Sequence, residues 1–175
     1  MNDDTGQEQR YESHANARFE VRQTHDYDTD HLGSLPRNDY QIILADPPWP
    51  YYGDPNKMAA AGKHYPLMTQ QAIKKMPVQS ITGKPAACFM WTTSSKLPNA
   101  IEALNAWGFY YRGVAFVWVK VSKTGDIIHG QGVPPTATKP TTEFVLLGTT
   151  NKTGRPFPLL SHNTPQVVLA PRGRH

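Results

Sequence analysis

Cysteine is almost absent from this 175-residue chain: Cys88 stands alone, inside the apolar run Ala86-Ala87-Cys88-Phe89-Met90-Trp91. A single thiol excludes an internal disulfide framework and any cysteine-based zinc site. It fits a small buried residue in a reducing compartment. Long hydrophobic runs are missing as well, and no stretch approaches the roughly 20 apolar residues that a membrane-crossing helix needs. The polar, acidic start Met1-Asn2-Asp3-Asp4 does not read as a secretory signal, so a cytoplasmic protein without a membrane partner is expected. Dense stripes of Lys and Arg are lacking too. The net charge of +4 and the pI near 9.2 permit a polyanionic partner without requiring one. Neither a glycine-rich phosphate loop nor a serine nucleophile elbow occurs, which argues against nucleotide-hydrolase and α/β-hydrolase chemistry.

Two segments emerge from what is present. Residues 1–38 are rich in Asp, Glu, Gln, Asn, Arg and His and poor in aliphatics, too poor to offset the entropy of ordering. They read as a flexible polar arm. His14, His25 and His31 lie within it at spacings that match no regular metal site. Residues 39–175 carry the pattern of one domain. Tyr40-Gln41-Ile42-Ile43-Leu44-Ala45 predicts a buried strand, and residues 50–66 a long loop. Met68 to Met76 predicts a short helix capped by Thr69, and Ala86 to Trp91 a second buried strand. Leu97, Ile101, Leu104 and Trp107 have helical spacing, with Gly108 as the stop. Further strands are expected at Tyr110–Val121, Thr142–Gly148 and Gln166–Ala170. The alternation predicts an α/β sheet that is parallel at least in part.

The chemistry is expected at the end of the first strand. In an open α/β sheet the ligand crevice lies at the carboxyl ends of the strands, and Asp46-Pro47-Pro48-Trp49 follows Ala45 there. The two prolines stiffen the backbone and remove two N–H donors, leaving a carboxylate and carbonyl oxygens beside a flat indole. Such a corner suits an exocyclic amine on an aromatic base. The oxygens accept the two N–H bonds and the ring stacks on the base. An adenine amine is a poor nucleophile because its lone pair is delocalised into the ring. Two fixed acceptors draw the nitrogen towards tetrahedral character and aim the lone pair at a methyl sulfonium, by orientation and electrostatic preorganisation. The alternative is an ordinary proline turn with Trp49 as a core or surface aromatic.

From Ile42 to His175 the chain resembles the MT-A70-like family of adenine-N-6 methyltransferases, in its bacterial and bacteriophage branch. The likeness rests on Leu44-Ala45-Asp46-Pro47-Pro48-Trp49-Pro50-Tyr51, then His64-Tyr65-Pro66-Leu67-Met68-Thr69, then Phe89-Met90-Trp91-Thr92-Thr93-Ser94. Next come Leu97 to Phe109, Val114 to Lys120, Thr142 to Gly148 and Gln166 to Arg172, in the family's order. The resemblance implies a Rossmann-like sheet, permuted so that the catalytic motif precedes the main cofactor motif. It also implies S-adenosylmethionine as cofactor. By resemblance Asp46 and Pro47 hold the target amine at the cofactor's methyl group, with Pro48 completing the catalytic corner and Trp49 beside the base. Tyr51, His64 and Tyr65 correspond to loops that close over the substrate. Lys120 either approaches a phosphate or is a solvated strand end. Glu143 is either near the substrate pocket or a satisfied strand-edge carboxylate.

Two departures from the family pattern bear on function. Thr138-Lys139-Pro140-Thr141-Thr142 lacks the amide side chains that family members carry before the acidic position. The family also continues beyond the Arg172-Gly173-Arg174-His175 element into a cofactor-binding segment, so the fold is expected to be incomplete at the C-terminus. A partner subunit or a missing C-terminal segment would complete it. Two functions therefore stand at this stage: methylation of adenine, in DNA rather than RNA, or a catalytically silent or partner-dependent nucleic-acid-binding subunit.

Overall fold

In a computed structural model, the structure describes residues 30–50, 67–130, 137–154 and 159–171. Element order is α1 (Asp30–Ser34), β1 (Tyr40–Ala45), α2 (Gln70–Lys75), β2 (Thr82–Thr92), α3 (Leu97–Ala106), β3 (Tyr110–Val121), β4 (Thr142–Thr149) and β5 (Val167–Pro171). The helix boundaries follow from local chemistry. The Thr69 hydroxyl accepts from the Ala72 amide at 3.1 Å and starts α2, and Lys74 and Lys75 sit in its last turn, where the helix dipole favours cations. Beyond α3, Gly108 turns the chain at φ +81°, a left-handed conformation that costs glycine little.

The five strands form one sheet in the order β1-β2-β4-β3-β5. β1 is parallel to β2, β4 is antiparallel to both β2 and β3, and β5 is parallel to β3. Four strands thus point the same way, and the sheet is mixed. The β1–β2 register sets Ala45 beside Met90, so β1 ends two residues short of the end of β2.

One face of the sheet packs on α2 and α3. Ile73 of α2 and Ala100, Ala103 and Leu104 of α3 meet Cys88, Met90 and Leu146 from the strands. The Trp107 indole N–H donates to the Ile73 carbonyl at 2.8 Å and ties the end of α3 to α2. On the other face lie half-buried aromatic pairs, Phe89 with Phe116 and Trp91 with Trp118.

Two sequence expectations change. Among the described residues β1 lies at the edge of the sheet rather than fully buried: Ile42 is 59% and Leu44 71% exposed, while the alternate Ile43 packs against the core. In addition, α1 falls inside the stretch whose composition suggests an arm; residues 1–29 lie outside the described ones.

Candidate active site

Because β1, β2, β3 and β5 share a direction, their carboxyl ends and the amino end of β4 gather at one margin of the sheet. That margin holds Asp46 after β1, Thr93 to Lys96 after β2, Lys120 near the end of β3, and Glu143 at the start of β4. Asp46 and Glu143, 97 positions apart in sequence, are brought to one rim by strand direction alone.

At the corner after β1, Asp46 is exposed, Pro47 is buried and Pro48 is half-buried. The Trp49 amide donates to the Pro47 carbonyl at 2.8 Å, closing a tight turn, and the Met68 amide donates to the Pro48 carbonyl at 3.0 Å. Both proline carbonyls therefore carry one donor already. Each keeps a second lone pair with which to accept another. Asp46 also lines an apolar groove of about 360 Å³ that runs along β1, past Leu44, Ile42 and Leu35. Asp46 thus stands at the end of a concave, mostly hydrocarbon wall.

Trp49 departs from its expected role as an open stacking surface. Its side chain is 3% exposed and belongs to the core cluster with Met68, Ile73 and Met90. Its indole N–H donates to the Trp91 carbonyl at 3.0 Å. The two prolines direct the chain back under the sheet margin, so the ring fills core space and leaves no flat face for a base.

Lys120 and Glu143 do come together, but on each other. The Lys120 ammonium donates to the Glu143 carboxylate in a short ion pair and sits 5.1 Å from the centroid of the Trp118 ring. The antiparallel β3–β4 register produces this by placing Trp118 opposite Glu143. Each group satisfies the other, which removes the picture of two independent substrate contacts. Trp118 in turn packs edge-on to Trp91 with centroids 6.0 Å apart, and its indole N–H donates to Ala170 at 2.8 Å. Tyr51, His64 and Tyr65 lie outside the described residues.

Lys96 was not singled out by sequence reasoning, yet it is the buried cation of this margin. It is 7% exposed, and burial holds its ammonium below the ordinary lysine pKa. The available signal was its place: a lysine directly after the end of a strand in an α/β sheet, four residues past Thr92.

The margin thus brings Asp46, Lys96 and the Lys120–Glu143 pair to one side of the sheet. A type II methyltransferase, M.MunI from Mycoplasma sp, is 34% identical over 158 residues, a match covering 81% of this chain and 63% of that protein. The chain thus spans less than two thirds of that relative's length. The MT-A70 family model matches residues 40–173, from the first residue of β1 to beyond β5, and the chain belongs to the MT-A70 family.

Proposed function

We propose that this protein transfers a methyl group from S-adenosylmethionine to the exocyclic N-6 amine of adenine in DNA. One observation carries the reading: Asp46-Pro47-Pro48-Trp49 forms a rigid corner at the carboxyl end of β1, with the Asp46 side chain at the end of a groove. The name of the relative, a type II methyltransferase, supports methyl transfer. The net charge of +4 suits a polyanionic substrate, and the likeness to the bacterial and bacteriophage branch favours DNA over RNA.

In this reading the Asp46 carboxylate and a backbone carbonyl of the corner accept the two N–H bonds of the amine. Pro47 and Pro48 fix those acceptors in place, and buried Trp49 locks the corner onto β2 through the Trp91 carbonyl. The Asp46 carboxylate, at the end of the groove, suits a cationic sulfonium, and the remaining cofactor contacts would come from strands that join β1. The cofactor, when bound, supplies an electrophilic methyl group. The Asp46 carboxylate and the corner carbonyl would hold the amine nitrogen towards that methyl group, and the proton the amine loses on methylation would pass to water.

The open edge of β1 supports a further element of the reading. Among the described residues β1 pairs on one side only, and Ile42 and Leu44 stand exposed beside it. We infer that additional strands join β1 to complete a permuted cofactor-binding sheet, from the same polypeptide or from a partner.

The test is methyl transfer from labelled S-adenosylmethionine to an adenine-containing oligonucleotide. Asp46→Ala should lower the rate by about 100-fold or more while leaving the fold intact, because it removes a positioned acceptor. Equal rates for the variant and the parent would defeat the assignment.

A further inference from the structure

β3 does not end at the rim that carries Asp46. Val121 is bridged to Ile127, and the Ile128 amide donates to the Lys120 carbonyl at 2.9 Å, so residues 121–130 fold back as a two-stranded ribbon. The ribbon lies past Val119, the last β3 residue opposite β4. Its turn is braced from within. The Ser122 amide donates to the Asp126 carbonyl at 2.7 Å, and the Thr124 hydroxyl to the Asp126 carboxylate at 2.7 Å. Beyond the turn, the Gly130 amide donates to the Pro140 carbonyl at 2.9 Å and ties the returning strand to the segment before β4. A ribbon fixed at both ends keeps the ordering cost of binding low.

The charges around it differ in what they meet. Glu143 is paired with Lys120, and the Asp126 carboxylate is held by Thr124, while among the described residues no ion pair engages Lys123 or Lys139. Both lysines are exposed, one in the turn and the other beside Pro140. Two such cations on a braced ribbon suit a regularly charged polyanion, and the major groove of DNA is wide enough to admit two strands.

We propose that residues 121–130 form a contact for duplex DNA, with the Lys123 and Lys139 ammonium groups on phosphates. The inference rests on the methyltransferase reading, which puts the target adenine at Asp46; in a duplex that base must be flipped out. β1 and β3 lie three strand spacings apart, about 14 Å, so the ribbon meets the duplex about four base steps from that adenine.

The experiment measures binding of the full chain to a fluorescent, adenine-containing duplex as salt is raised, with urea unfolding as a check on the fold. The double variant Lys123→Ala/Lys139→Ala should bind about tenfold more weakly at low salt, with a salt dependence shallower by about two ions. Arginine at both positions should keep the affinity and the slope. Lys84 and Lys152, exposed at the opposite margin, serve as the charge control, and Lys84→Ala/Lys152→Ala should change neither. Equal losses in the two alanine pairs would show a general charge effect and overturn the ribbon contact. Unchanged affinity in Lys123→Ala/Lys139→Ala overturns it as well and leaves Asp46-dependent methyl transfer standing. A parent that binds duplex through these lysines yet transfers no methyl group removes the enzymatic reading and keeps the contact. A parent that binds no duplex overturns the contact outright.

Discussion

The indole of Trp49 donates to the main-chain carbonyl of Trp91 across 3.0 Å, and this contact fixes the Asp46 corner to the end of β2. Trp49→Phe keeps most of the ring but strands the Trp91 carbonyl, and should cost about 1–3 kcal/mol in urea unfolding. Trp49→Ala adds a cavity and should cost about 3–5 kcal/mol. Both variants should lose activity in proportion to their loosened corner. Full stability in Trp49→Ala combined with weakened oligonucleotide binding would instead restore the stacking role.

Local signals carried far in this sequence. The apolar run before Asp46 gave β1, the Thr69 hydroxyl gave the start of α2, and Gly108 gave the end of α3, each within a residue or two. Those features depend on neighbours in sequence. What stayed hidden depends on partners far away. An apolar run does not reveal whether a strand is paired on both sides, so the edge position of β1 among the described residues emerged only with the sheet order. A proline turn does not reveal on which side the next ring falls, and Trp49 fell inward. Lys120 and Glu143 are 23 residues apart and meet only through the β3–β4 register.

That Lys120–Glu143 pair makes a double-mutant cycle informative. The side chains are 18% and 29% exposed, between the surface and buried extremes, so a coupling of about 1–2 kcal/mol is expected. Lys120→Met and Glu143→Gln should each destabilise the fold, and the double variant should cost less than their sum. Additive losses would show that the two groups act separately, as independent substrate contacts would.

Gly148 tests the packing between sheet and helix. A Cβ added there would lie 2.9 Å from Leu104 Cδ2, closer than carbon atoms tolerate, and 3.0 Å from Phe109 Cβ, a contact tight enough to force a small shift. Gly148→Ala should therefore destabilise by about 1–3 kcal/mol through overpacking. Leu104→Ala alone opens a cavity in the same place and should cost about 2–5 kcal/mol. Combined, the new methyl occupies part of that cavity, so the double variant should be more stable than additivity allows. Strict additivity by chemical denaturation would show that α3 shifts away from β4 instead.

Cys88 is fully buried on β2, and burial pushes its thiol up to about 12 from an ordinary 9.0. Thiolate forms in the unfolded chain first, so the folded state holds the extra proton between those two values. Stability from this group is whole below pH 9 and falls as pH rises towards 12, by up to about 1.4 kcal/mol per pH unit. Lys96 has the opposite sign: its lowered pKa makes stability rise with pH as the ordinary value of 10.5 is approached. Unfolding of the parent, Cys88→Ala and Lys96→Met across pH 8 to about 12 separates the two slopes. Cys88→Ala should flatten the alkaline loss, and Lys96→Met should steepen it. A disulfide-exchange reagent at pH 8 should leave the native thiol untouched and label it only after unfolding. Rapid labelling of the native protein would mean that β2 opens locally, and the core beneath the Asp46 corner would then be far looser than its packing implies.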